Sequence, residues 1–206
     1  MAVAAAVRWV ETASPGHVAK SHIVGSFFTL THDRQFVNVR PTTAADREAI
    51  IDVHERSVYE LAGEHYREAV LDAWTDLSQG DDSDGEATED DVQPENGRRY
   101  VAEVEGRVVG FSDVRFDPPE YLEEPVDGGV RAVYVDPDVA GEGVGSSLLA
   151  TLETTARENG LGSLGLLASL NARGFYEHHG YEIVAETTFQ YGEDIEGPAV
   201  EMRTDL

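Results

Sequence analysis
Cysteine is absent from the 206-residue chain, lysine occurs once, and no apolar run approaches the roughly 18 residues that a membrane span needs. The first absence removes disulfides, thiolate zinc sites and a cysteine nucleophile together. Lys20, the single lysine, lies far from any glycine-rich loop, so the Gly-Lys-Ser/Thr run of a P-loop is excluded. The opening apolar stretch, residues 2–7, is cut by Arg8, and neither a signal peptide nor a span is read there. A cytoplasmic location is expected. Basic residues are also scarce: 15 against 40 acids, for a net charge of −25. Only nine of those acids fall between Asp76 and Glu95, so the charge is spread over the whole surface. Such a balance argues against nucleic acid and anionic membrane as partners. It resembles adaptation to a halophilic cytoplasm, where screening makes dense like charge tolerable.

What is present is organised around residues 130–149. Val130, Val133 and Val135 read as a buried strand, and Asp136-Pro137 ends it because proline cannot continue the ladder. Glycines follow at Gly141, Gly143 and Gly145. Val144, Leu148, Leu149, Leu152 and Ala156 then share one helical face, and Asn159-Gly160 stops the helix. Bare backbone at a helix N-terminus favours an anion. A dinucleotide fingerprint would need a third glycine where this chain has Ser146.

Along the rest of the chain, residues 1–35 show no sustained period and read as an irregular extension. Phe36–Arg40 reads as a strand. Thr43 and Asp46 approximate a capping box before a helix whose apolar face carries Ile50, Ile51, His54, Val58 and Leu61. A second short helix spans His65–Trp74. Residues 76–97 are acidic and nearly free of large apolar groups, the composition of a mobile loop. Tyr100–Val104 and Val108–Arg115 flank Glu105-Gly106 as a hairpin. After the central helix come a strand within Leu161–Leu170, a helix over Asn171–His179, and strands at Tyr181–Thr187 and Ala199–Arg203.

The valine-rich strand, the Asp-Pro and Gly143 with Gly145 resemble the acetyl-coenzyme A loop of the GNAT N-acetyltransferases, a pattern of the form Q/R-x-x-G-x-G/A. A second stretch, SLNARGFYEHHGYE at residues 169–182, resembles that family's C-terminal motif through Asn171, Ala172, Phe175, Tyr176, Gly180 and Tyr181. The resemblance covers residues 36–205. It implies an α/β (α+β) GNAT fold, a mixed and mostly antiparallel sheet of six or seven strands with splayed central strands and helices on both faces. One acetyltransferase domain then spans 36–206.

The resemblance further implies acetyl-CoA as cosubstrate, no metal, and an amine acceptor on a small molecule or protein, and it leaves a homodimer open. Backbone groups of Val133 and Val135 would meet the pantetheine arm. Those of Gly141, Glu142, Gly143, Val144, Gly145 and Ser146 would hold the diphosphate. Asn171 would bond the pantetheine amides, and Tyr176 would face the sulfur as the catalytic residue. Read alone, Asn171 is equally a helix N-cap and Tyr176 a core aromatic. Two departures stand out: the family's basic phosphate-loop positions hold Ala140 and Glu142. No general base is identified; Asp113, Asp127 and Tyr134 are candidates. Arg173 could serve the nucleotide end, and His178-His179 read as exposed residues at a helix C-terminus. A non-catalytic acyl-CoA-binding regulator is the alternative to an enzyme.

Overall fold
The computed structural model describes residues 36–79 and 93–206. The extension expected at 1–35 lies outside the described residues, as does most of the acidic segment expected at 76–97. At the ends of that segment, Asp76–Gln79 form the last turn of a helix and Gly97 opens a strand.

In chain order the elements are β1 (Asn38–Pro41), α1 (Arg47–Ala62), α2 (Glu68–Gln79), β2 (Gly97–Val104), β3 (Arg107–Arg115) and β4 (Gly128–Val135). They continue as α3 (Val144–Glu158), β5 (Ser163–Ala168), α4 (Arg173–His178), β6 (Glu182–Gly192) and β7 (Ile195–Asp205). The strands form one sheet in the order β1-β2-β3-β4-β5-β7-β6. Only β4 and β5 run parallel, as a crossover through α3 requires. This is the expected α/β architecture.

Local chemistry accounts for the joints. The Asp46 carboxylate accepts from the Thr43 backbone N–H at 2.8 Å and its hydroxyl at 2.9 Å, so the capping box closes a single 3-10 turn that leads into α1. Arg40 pairs with the same carboxylate at 2.7 Å and holds it well below the usual carboxylate range. Glu105 and Gly106 both have positive φ, 53° and 79°. A two-residue hairpin turn of type I′ demands this of both central positions.

Side-chain alternation on β4 builds two cores. Val130, Val133 and Val135 pack beneath α3 with Leu148, Leu149 and Leu152. Ala132 and Tyr134 face the other way, towards Val53 and Val58 of α1 and Trp74 of α2.

The feature that positions everything else is how little β4 and β5 touch. Their register holds for two rungs, Gly128↔Leu164 and Gly129↔Gly165, and then stops, although β4 runs on to Val135 and β5 to Ala168. The strands meet at a glycine-rich end because the 116–127 loop crosses there. A Cβ on Gly165 would overlap Leu122 of that loop, and one on Gly128 would overlap Leu161 and the Arg115 carbonyl. Beyond those rungs the two strands form an open V.

Candidate active site
At the end of β4 the chain turns through Asp136. This side chain is 1% exposed and saturated: both carboxylate oxygens accept from Arg56 Nη1 at 2.9 Å, one from Arg107 Nη1 at 2.8 Å, and one from the Asp138 N–H at 2.9 Å. Asp136 therefore does more than end a strand, as its sequence context suggested. It pins α1 and the β2–β3 hairpin to the start of the glycine loop. Arg56 is 80 residues away in the chain and Arg107 is 29, so no local pattern announces them.

Gly141 and Gly143 both lie in the left-handed region, φ 87° and 91°, where a side chain would be strained. The first helical bond of α3 runs from the Ser147 N–H to the Gly143 carbonyl at 3.0 Å. The N–H groups of Val144, Gly145 and Ser146 consequently point off the helix end, carrying the positive pole of its dipole. The Glu142 N–H is used within the turn, bonded to the Val139 carbonyl at 3.2 Å. That amide is the one in the 141–146 segment already committed to the loop itself.

The edge of β4 that faces the V follows from its ladder. The Asp136 N–H donates to the Val109 carbonyl at 2.8 Å, and Tyr134 and Ala132 lie opposite Phe111 and Asp113. In an antiparallel ladder alternate residues turn their N–H and C=O to opposite sides. Val133 and Val135 therefore present theirs towards β5, where no rung remains.

Across the opening lies the 169–176 segment. Both polar atoms of the Asn171 amide are buried and unpartnered, and α4 is capped by Ala172 rather than by Asn171. The N-cap reading of Asn171 is thereby set aside. Tyr176 is fully buried in the core on the α3 side of the sheet, with its ring edge-on to Tyr181 at 5.4 Å. Its hydroxyl too lacks a partner. Burial pushes the phenol well above its ordinary value of 10, so it stays protonated and can only donate or accept a hydrogen bond. Each orphaned buried polar group costs about 1–3 kcal/mol. A ligand with amides and a sulfur acceptor, laid along the free β4 edge, would satisfy all three atoms. The residues present thus fit a pantetheine arm.

The candidate bases have other occupations. Asp113 is buried between Arg99 (2.9 Å) and Arg115 (3.3 Å). Asp127 ties the starts of β4 and β5 together through the Gly162 N–H at 2.8 Å and Ser163 Oγ at 3.1 Å. The Tyr134 hydroxyl accepts from Trp74 Nε1 at 2.9 Å, and burial pushes the phenol up. His54 is a core residue, as its helix face implies, but it is not satisfied. Nδ1 is buried without a partner, the ring packs edge-on to Tyr134 at 4.6 Å, and burial lowers its pKa to about 4.

Arg173 pairs with Glu177 at 3.4 Å and Glu186 at 3.6 Å, directed to the surface. His178 is exposed, as its place at a helix end suggests, whereas His179 bonds through both ring nitrogens. Among the described residues no group of three His, Asp or Glu could hold a metal ion, and no helix is long and apolar enough to cross a membrane.

Known proteins give the same picture. The Acetyltransferase (GNAT) family matches residues 56–181, which include the glycine loop, Asn171 and Tyr176. The fold is similar to that of a GCN5-related N-acetyltransferase from Rhodopseudomonas palustris, 24% identical over 90% of this chain and 100% of that one, TM-score 0.66. It is also similar to the PaiA N-acetyltransferase of Thermoplasma acidophilum in complex with coenzyme A, 18% identical over 83% and 99%, TM-score 0.62. A ribosomal-protein-alanine N-acetyltransferase from Brucella melitensis is 23% identical over 82% and 99%, TM-score 0.51. No curated protein sequence matches. A two-rung V, a glycine-headed helix beside it and a family match spanning both place this chain in the acetyltransferase (GNAT) family.

Proposed function
We propose that this acetyltransferase moves the acetyl group of acetyl-CoA directly onto a primary amine of a small molecule or protein, in a cytoplasm of high salt. One observation carries the reading. The orphaned amide of Asn171 and hydroxyl of Tyr176 lie buried across from a β4 edge that has lost its ladder partner. Acetyl-CoA would supply an activated thioester there. Val133 and Val135 would pair with its pantetheine arm as a strand pairs, Asn171 would bond the arm's amides, and the N–H groups at the head of α3 would take the diphosphate.

In the transfer the amine nitrogen bonds to the acetyl carbon, the carbon–sulfur bond breaks, and the sulfur leaves as thiolate. A backbone N–H at Val133 or Val135 would stabilise the charge that develops on the carbonyl oxygen. Tyr176 would steady the thiolate. A thiol of this kind has a pKa of about 8.5, below that of the buried phenol, so a hydrogen bond from Tyr176 is favoured over full proton transfer. With Asp113, Asp127 and Tyr134 engaged elsewhere, the proton of the attacking amine would leave through water.

The test is thioester cleavage by the full chain in molar KCl against a panel of primary amines, with thermal stabilisation by acetyl-CoA measured in parallel. Amine-dependent release of free thiol supports the reading. Stabilisation with no turnover against any amine would make the protein a binder of acyl-CoA, and no stabilisation at all would remove the cofactor assignment.

A further inference from the structure
The hydrogen bonds of His179 determine where its protons sit. Nδ1 lies 2.8 Å from the Phe175 carbonyl, an oxygen that can only accept, so Nδ1 carries a hydrogen. Nε2 lies 3.0 Å from Ser146 Oγ. In the neutral ring Nε2 accepts, and the Ser146 hydroxyl gives its one hydrogen to the imidazole. In the imidazolium Nε2 donates instead, and the serine hydrogen is free to turn elsewhere. Ser146 stands in the first turn of α3, next to the N–H groups that point off the helix end.

We propose that His179 is a positioning residue for the cofactor's diphosphate. When protonated, it releases the Ser146 hydroxyl to donate to a phosphate oxygen and sets a positive charge behind that hydroxyl. The proposal rests on the acetyl-CoA reading above and says what takes the place of the cations absent at Ala140 and Glu142. The other charged and titratable groups around His179 come from three elements. On α3, Glu153 and Arg157 pair with each other at 3.7 Å. On α4, the His178 ring lies edge-on at 5.3 Å and Glu177 pairs with Arg173. Tyr181 stands just before β6, its buried hydroxyl without a hydrogen-bond partner. Glu142 stands in the loop itself. Diphosphate binding and protonation of His179 therefore favour each other, and by linkage the affinity for a diphosphate ligand falls as pH rises.

A mere staple between α4 and α3 would hold at any pH and would not distinguish one part of the cofactor from another. The experiment measures binding of dephospho-CoA and of pantetheine to the full chain between about pH 5.5 and 8. Dephospho-CoA is chosen because it keeps the diphosphate and lacks the terminal phosphate, whose own pKa of about 6 would confuse the profile. Dephospho-CoA affinity should fall about fivefold across the window, the scale of one partly exposed charge-assisted hydrogen bond, while pantetheine affinity stays level. His179→Gln and Ser146→Ala should each flatten the dephospho-CoA profile and leave pantetheine binding intact, which also shows that the variants fold. His178→Gln should keep the slope. A level wild-type profile, or a slope that survives in either His179→Gln or Ser146→Ala, would overturn the proposal and leave the cofactor reading standing. Failure of the wild-type chain to bind dephospho-CoA at any pH would instead remove both.

Discussion

The two ends of the V between β4 and β5 are built differently. Around the closed end the crossing loop is tied down, although the Tyr121 hydroxyl in that loop and Arg115 Nε opposite Gly129 are buried without hydrogen-bond partners. The Glu201 carboxylate, 2% exposed and level with Leu167 two residues beyond the last rung, accepts the N–H groups of Glu123 and Glu124 at 3.0 and 2.9 Å and so holds the crossing loop to β7. Arg203 pairs with Glu124 at 2.6 Å, and Asp127 stitches β4 to the start of β5. At the open end Asn171, Tyr176 and Ser169 Oγ are buried without partners. What sets the open end apart is that its orphaned groups lie across from a strand edge with no ladder partner, which is why the proposed ligand is placed there.

The largest effect expected from breaking this contrast is on turnover. Tyr176→Phe removes a hydroxyl that stabilises nothing in the free protein, so the melting temperature should hold or rise slightly while kcat falls about 10²-fold or more. Unchanged turnover with a good acceptor would take Tyr176 out of the reaction.

A third buried site, against Tyr134 on the α1 face of β4, should weaken the fold in acid. His54 has an ordinary pKa of 6.5 and a folded value of about 4, so the unfolded chain takes up a proton that the folded one refuses. Its contribution is complete above pH 6.5 and is lost as pH falls towards 4, a difference of about 3 kcal/mol. Denaturant titrations at constant salt should show that loss in the wild type and a shallower one in His54→Leu. Asp46, held to about 2 chiefly by Arg40, acts in a lower window, from its ordinary 3.8 downwards.

Glu201→Ala should lower stability by about 1–3 kcal/mol, because two loop N–H groups lose their acceptor. Calorimetry would measure this, and acetyl-CoA affinity per folded molecule should stay level. The smallest effect belongs to the loop charge. Glu142→Lys should tighten coenzyme A binding a few-fold at low ionic strength, from about 0.3–1 kcal/mol, and scarcely at all in molar KCl. Isothermal titration at two salt concentrations would check it; equal affinities at low salt would refute the electrostatic reading.

Element order was legible in the chain because buried strands and one-faced helices leave periodic apolar positions. The valines of β4 and the leucines of α3 lie where their spacing puts them, with Val133 and Leu148 fully buried. The β6–β7 hairpin was read too short. Phe189 and Tyr191 are buried and alternate with exposed Thr188 and Gln190, so a strand signal beyond Thr187 was present in the sequence and went unread. His179 was misjudged for a different reason. Its partner Ser146 lies 33 residues earlier, and a contact between two helix ends leaves no mark on either segment.

By itself the sequence determined the glycine-headed helix, the strand that feeds it and the family motif containing Asn171 and Tyr176, because backbone freedom and side-chain periodicity are local properties. Tertiary structure alone decided that β4 and β5 part after two rungs, that Asp136 is held by two distant arginines, and that Asn171 and Tyr176 are left unsatisfied. Whether a polar atom has a partner depends on what the rest of the chain brings to it, and only the folded molecule contains that answer.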